Sequence, residues 1–266
     1  MNRHPTAIVH EQAKIAENVT LGPYCQIGPN AEIAADVEIG SFVIIDGYTQ
    51  IGPQCKIFPQ TVIGTPPQDL KYANEPTRVI IGARNTIREF VTIHRGTATG
   101  HGQTVIGDDN LIMAYCHIAH DCIIGSNTVM ANAATLAGHV VIGNHAIIGG
   151  LCALHQFSRV GDYAILGGAS AISQDVVPYS MAVGNRATLR GLNLIGLRRH
   201  GFSRETISLL KKAIHFLVGR ELNTPEAVQR ITALGDGIPE IANLLSFIGH
   251  SKRGICRGKV HSGGEQ

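Results

Sequence analysis

An aliphatic residue recurs at every sixth position along most of this chain, and that spacing constrains the fold more than any other feature. Val9, Ile15, Leu21, Ile27, Ile33, Ile39, Ile45, Ile51, Ile57 and Ile63 hold the period without a miss, and Ile81, Ile87 and Ile93 resume it in phase. After an insertion it runs from Ile106 through Ile112, Ile118, Ile124, Met130, Leu136, Ile142, Ile148, Leu154, Val160 and Leu166 to Ile172. Neither the period of a helix nor the alternation of an ordinary strand produces this pattern. A six-residue repeat is the signature of a parallel β-helix, three hexads closing one triangular coil of about 18 residues. The repeat predicts roughly eight coils stacked at ~4.8 Å.

Counting each aliphatic residue as position 0, position 4 is small: Ala31, Val37, Val43, Thr49, Cys55, Cys116, Cys122, Thr128, Ala134 and Val140. Positions 4 and 0 lie two residues apart across the hexad junction, so strand alternation points both inward. Position 1 is often Gly, and pairs such as Pro29-Asn30, Asp108-Asp109 and Ser126-Asn127 supply turn chemistry at positions 2 and 3. Cys25, Cys55, Cys116, Cys122 and Cys152 all occupy the small inward slot, which reads as buried thiols rather than disulfides or a metal site. Cys256 lies in the C-terminal tail with no visible role. A chain with no Trp, 5% aromatic residues and 31 Gly suits a narrow aliphatic core with many turns. Its net charge of +2 gives no case for nucleic acid. No apolar run is long enough to span a bilayer and no signal peptide is visible, so a cytoplasmic protein without integral membrane association is expected.

Two insertions interrupt the coils, at 65–78 and 96–104. The first keeps the hexad phase and the second shifts it by one residue. Loops on a rigid solenoid often carry function, although the second reads equally well as a plain surface loop. The coils are expected to end near Pro178, giving a β-helical domain over 1–185. From about residue 186 the pattern turns helical. Ser203 is placed to N-cap a helix to about Arg220, with Phe202 and Ile207 as a hydrophobic staple. Thr224-Pro225 opens a second helix ending before Gly235, and Ile238-Pro239-Glu240 opens a third reaching about Phe247. Within this 186–266 domain the last residues, from Lys252, form a basic, Gly-rich tail expected to be flexible and disordered at its end. Arg198, Arg199, Arg204, Lys211, Lys212, Arg220, Lys252 and Arg253 concentrate positive charge here, either as a solvated helical face or as a docking surface for an acidic partner.

The repeat also sorts the 13 histidines. His120 and Asp121 are the turn residues of one hexad. One coil on, Gly138 stacks over His120 and His139 over Asp121; another coil on come Gln156 and Phe157, with His155 just before them. His117 sits three residues before His120. Two chemistries fit this edge. A neutral imidazole oriented by Asp121 can serve as general base, with a glycine amide facing an oxyanion. Alternatively, three imidazoles hold a catalytic zinc, with Asp121 behind one of them.

The segments DLKYANEPTR (69–78), VTIHRGT (91–97), HIAHDC (117–122), ATLAGHV (134–140), HQF (155–157) and GFSRE (201–205) resemble the acyl-ACP–UDP-N-acetylglucosamine O-acyltransferase family of lipid A synthesis, over nearly the full chain. Hexads alone are shared with other acyltransferases; the DLKYA loop combined with HIAHDC is far more specific. The resemblance implies a mainly β fold, a left-handed parallel β-helix followed by a small α-helical C-terminal domain, assembled as a homotrimer with active sites between subunits. Handedness comes from the resemblance, not from periodicity. It implies transfer of a 3-hydroxyacyl chain to the glucosamine 3-hydroxyl, with no metal and no cofactor beyond the carrier's phosphopantetheine. His120 would be the base, Asp121 its assistant and Gly138 the oxyanion amide. Gln68, Asp69, Lys71, His117, His139, His155, Gln156, Asn193 and Arg199 would bind substrates, Lys71 near the phosphates. Arg198, Arg204, Lys211 and Lys212 would dock acyl carrier protein. Gly168 would leave room for a longer acyl chain. The chain departs from the family at Ile195, where Glu is frequent, and at His200, where a second Arg is frequent.

Other readings make different predictions. A γ-carbonic-anhydrase-type zinc lyase needs a close His pair five apart, and none of His94, His117, His120, His139, His145 and His155 supplies one. An acetyl-CoA-dependent acetyltransferase would work without carrier protein. A non-catalytic scaffold leaves the His column and the DLKYA loop without a role.

Overall fold

A computed structural model of the protein describes residues 2–258 except 220 and 236. Each of the 25 hexads forms a short strand, and Asn2–Arg3 adds one more in the same phase. The strands distribute over three parallel faces, closing a triangular β-helix. In the middle of the solenoid, face I carries Leu111–Ile112, Val129–Met130 and Ile147–Ile148. Face II carries Thr92–His94, His117–Ile118, Thr135–Leu136 and Ala153–Leu154; face III carries Gln103–Ile106, Ile123–Ile124 and Val141–Ile142. In-register pairs such as Ile93↔Ile118, Ile118↔Leu136 and Leu136↔Leu154 stack the aliphatic columns down the core. The five solenoid cysteines are buried beside them as free thiols.

Turn geometry follows from the stacking. The third residue after the aliphatic is left-handed in most hexads, including Asp109, Asp121, His139 and Phe157. Most such N–H groups reach the turn one coil below, as when His139 N–H donates to the His120 carbonyl at 3.0 Å, whereas Asp121 N–H donates to Thr104 Oγ1 at 2.9 Å. These bonds offset the steric cost of the left-handed conformation. Position-1 glycines answer a separate need: a Cβ on Gly125 would lie 2.9 Å from the Gly143 carbonyl carbon of the next coil.

Both insertions leave the solenoid between faces II and III. The segment after Val62–Thr65 returns at Arg78–Ile81, and the segment after Thr92–His94 returns at Gln103–Ile106. Pairing of Ile81 with both Ile51 and Ile106 shows that neither disturbs the column.

Three expectations need correction beyond the coils. The chain does not turn helical at residue 186. Ser180–Val183 continues face I, and Thr188–Leu192 pairs antiparallel with it, so the sheet extends past Pro178. Among the described residues four helices follow, one more than the periodicity predicts: α1 (Leu194–Arg199), α2 (Arg204–Val218), α3 (Thr224–Thr232) and α4 (Pro239–Gly249). Ser203 caps α2, and Asn223 caps α3 in a capping box with Glu226. Arg220, where the helix capped by Ser203 was expected to end, lies outside the described residues. The tail up to residue 258 is packed rather than loose. Ile255 bridges Asp175, Arg253 donates to the Ser173 carbonyl, and Arg257 donates to the Leu217, Gly219 and Leu222 carbonyls around the end of α2. Cys256 is correspondingly buried, and burial pushes its thiol up to about 11. The expected disorder of the terminal residues falls outside those described.

Candidate active site

The corner between faces II and III gathers the chemistry. Asp121 is fully buried and accepts from Thr97 N–H (3.0 Å), Thr97 Oγ1–H (2.7 Å), His101 N–H (2.8 Å) and His120 Nδ1–H (2.9 Å). Burial by itself pushes this carboxyl up, but the hydrogen bonds from His120 and Thr97 more than offset it, holding the pKa below the ordinary carboxylate range. Asp121 is therefore an anion that only accepts, which makes His120 Nδ1 the protonated nitrogen. The lone pair is left on Nε2, on a side chain 17% exposed.

Gly138 lies one coil above, and its missing side chain is what makes room for that nitrogen. An ideal Cβ there would stand 2.5 Å from His120 Cε1 and 2.6 Å from Nε2. Its amide is also unengaged, as are those of His120 and Gln156 at the same hexad position of the neighbouring coils among the described residues. At the corner between faces III and I, the equivalent N–H groups of Asp108, Ser126 and Asn144 donate to the Ser126, Asn144 and Asp162 side chains. The Gly138 N–H has no acceptor among the described residues. A free donor thus sits beside a free base.

His139 stands edge-on to His120, with ring centroids 5.1 Å apart, and stacks on Phe157 at 4.4 Å. Burial lowers its pKa, the Asp121 charge opposes this, and the His120 and His101 imidazoles add to the lowering. Behind the corner, His117 meets Thr92 Oγ1 through Nδ1 at 2.7 Å and packs against buried His94. Burial, with His117 and His120 nearby, drives His94 down to about 4; burial first, then His120, also lowers His117. His94 Nδ1 has no partner among the described residues. His94, His117 and His139 are thus all biased toward the neutral form.

The first insertion hangs over the same corner. Asp69 accepts from the Lys71 N–H at 3.0 Å, and its charge acts on His139. Gln68 and Lys71 are exposed. Arg95 ties the two insertions together, donating to Tyr72 Oη at 2.8 Å and to the Gly64 carbonyl at 3.3 Å. Exposed His155 and Gln156 occupy the next coil, where His155 Nδ1 contacts the Gln156 carbonyl at 3.0 Å.

Other expected site residues lie elsewhere on the chain. Gly168 is at the corner between faces I and II, where an added Cβ would meet only the Gly150 carbonyl oxygen, at 3.3 Å. Asn193 caps α1 and donates to the Tyr163 carbonyl at the corner between faces III and I. Arg199 is exposed at the end of α1; His200 follows it, edge-on to His145 and Tyr163, and Ile195 is exposed. Arg198, Arg204, Lys211 and Lys212 are exposed and make no ion pair among the described residues. Lys211 and Lys212 border an apolar groove of about 560 Å³ lined by Leu192, Ile214 and Phe216.

Sequence reasoning missed Thr97, the His101 amide and buried His94. The signal for the first two was present. The second insertion leaves face II one coil below His120, so hexad bookkeeping alone puts it at this corner.

Comparison with known proteins gives a consistent picture. A family described as UDP-N-acetylglucosamine O-acyltransferase, domain 2, matches residues 175–256, and the bacterial transferase hexapeptide family matches 12–47 and 103–138. The acyl-[acyl-carrier-protein]–UDP-N-acetylglucosamine O-acyltransferase of Trichlorobacter lovleyi is 59% identical over 97% of this chain and all of its own length. That of Thermodesulfovibrio yellowstonii is 55% identical, covering 96% of this chain and 98% of its own. The crystal structure of the UDP-N-acetylglucosamine O-acyltransferase from Moraxella catarrhalis superposes with a TM-score of 0.93 at 47% identity, covering 97% of this chain and 100% of the other.

Proposed function

This chain belongs to the acyl-[acyl-carrier-protein]–UDP-N-acetylglucosamine O-acyltransferase family, and we propose on that premise how its residues perform the transfer. The enzyme moves a 3-hydroxyacyl chain from acyl carrier protein to the 3-hydroxyl of UDP-N-acetylglucosamine, the first step of lipid A biosynthesis. His120 Nε2 takes the hydroxyl proton as the oxygen attacks the thioester carbonyl. The Gly138 N–H donates to the oxyanion of the tetrahedral intermediate. Collapse breaks the C–S bond, and the imidazolium returns its proton to the departing phosphopantetheine sulfur. Asp121 holds the tautomer and stabilises the imidazolium without itself taking the proton. The donor arrives on the carrier's phosphopantetheine, and these steps are complete with no metal and no dissociable cofactor.

Gln68, Asp69, Lys71, His117, His139, His155 and Gln156 line the cleft for both substrates, Lys71 taking the phosphates. Asn193 and Arg199 complete the nucleotide or donor site, and Gly168 marks the acyl groove. A homotrimer is supported by the distribution of these residues over all three corners of the prism, which one chain cannot turn toward a single substrate. Chemistry resides in 1–185, while the exposed cations Arg198, Arg204, Lys211 and Lys212 of 186–266 dock the acidic carrier. Among the described residues, no helix is long and apolar enough to cross a membrane; substrates of this kind put the enzyme in the cytoplasm.

The observation that carries this reading is a base with its proton pinned to buried Asp121 and its free nitrogen over Gly138. The test is thiol release from a long-chain 3-hydroxyacyl carrier protein, with and without UDP-N-acetylglucosamine, beside His120→Ala. Release should require the nucleotide sugar and fall by roughly 10²–10⁴-fold in the variant. Release by folded His120→Ala at near the wild-type rate would remove His120 as the base.

A further inference from the structure

Two imidazoles and a carboxylate converge where the base stands, with a third imidazole nearby. His120, Asp121 and His139 each offer a ligand-capable atom within 4.8 Å of the others. His101, on the second insertion, turns its ring edge-on to His139 at 6.2 Å. Asp121 has its oxygens engaged by Thr97, His101 N–H and His120, so it suits the position behind a ligand rather than on a metal. His120 has what a zinc ligand needs: Nδ1–H donated to a carboxylate and a lone pair on Nε2.

Distances favour one ion class. Zinc held tetrahedrally by imidazoles at ~2.0–2.1 Å puts ring centroids about 5.2 Å apart. The His120–His139 separation is 5.1 Å. His101, which is exposed, must close by about 1 Å to complete the set. Magnesium and calcium prefer oxygen donors, and the Asp121 oxygens here are already engaged.

We infer that His120, His139 and His101 form a zinc site, backed by Asp121, whose occupation switches the acyl transfer off. The inhibition rests on the reading of His120 as the base, since a lone pair given to zinc cannot accept the hydroxyl proton. The binding itself rests only on the geometry. Substrate and zinc must compete, because the acceptor hydroxyl needs the space in front of Nε2.

Chelator-treated full-length protein is titrated with zinc and, separately, with cobalt, whose visible absorption reports tetrahedral nitrogen coordination. Transfer is followed in the same samples. One ion per chain should bind, transfer should fall as the site fills, and chelator should restore it. Magnesium and calcium at equal concentration should do nothing, and saturating UDP-N-acetylglucosamine should raise the apparent inhibition constant. His101→Ala should weaken zinc affinity about tenfold or more, read on binding and not on rate. His120→Ala should abolish the cobalt spectrum. Absence of binding, binding with transfer unchanged, or unaltered affinity in both variants would overturn the inference while leaving the acyltransfer reading intact. Transfer that depends on added zinc would overturn it too, and with it the metal-free mechanism.

Discussion

Gly138→Ala isolates the space around the base from the amide that faces the oxyanion. The new Cβ would lie 2.5 Å from Cε1 and 2.6 Å from Nε2 of His120. Ordinary contact between such atoms is about 3.5 Å, so the ring must retreat by about 1 Å. It cannot do so freely, because Nδ1 is bonded to Asp121 at 2.9 Å and His139 stands edge-on beside it. Gly138 is outside the left-handed region, so alanine fits its backbone, and the N–H is kept. A base displaced by about 1 Å costs roughly 10²-fold in rate, close to 3 kcal/mol of barrier. The stability cost should be smaller, about 0.5–1.5 kcal/mol for a side chain forced from its rotamer. Single-turnover transfer at saturating substrate reads the first quantity, and a urea midpoint reads the second. A rate within threefold of wild type in a normally folded variant would refute the argument. It would mean either that the ring moves without losing Asp121 or that Nε2 is not the base.

The core, the acid response and the acyl groove give three more tests. Ile124→Ala leaves a cavity in a fully packed column and should destabilise the solenoid by about 2–5 kcal/mol in equilibrium denaturation, with kcat per folded molecule little changed. Acid should weaken the fold in two stages. His94 resists protonation down to about 4 while the unfolded chain takes the proton near 6.5, so stability is lost as pH falls between those values, by about 3 kcal/mol. Lowered His117 and His139 act in the same direction, and Asp121, lowered as a carboxylate, adds a loss below its unfolded value of 3.8. A urea midpoint that stays flat from pH 7 to pH 4.5 would contradict this. Gly168→Met puts a bulky side chain where a Cβ meets only one carbonyl oxygen, and should shift turnover toward shorter acyl donors; an unchanged chain-length profile would detach Gly168 from the groove.

Within the coils, legibility was nearly complete because the repeat is its own coordinate system. A residue's place in its hexad decides inward or outward, and its coil decides its height. Gly138 over His120 and His139 over Asp121 could be read by counting. Past Ile172 counting loses its meaning. Thr188–Leu192 is a strand because it pairs with Ser180–Val183, and Cys256 is buried because Ile255 bridges Asp175. Neither contact leaves a periodic trace.

The sequence by itself determined the prism, its corners and the column of histidines, since one aliphatic residue per hexad admits few other ways of burying the chain. Tertiary structure decided what that column can do. Counting places insertion 96–104 at this corner, but the segment has no period of its own, so only the folded structure shows Thr97 and the His101 amide enclosing Asp121. Hydrogen bonds from His120 and Thr97 keep that fully buried carboxylate ionised, and an ionised Asp121 holds the proton on Nδ1. Desolvation and hydrogen bonding depend on which groups meet in space, and they turn a His in a turn into a base aimed over Gly138.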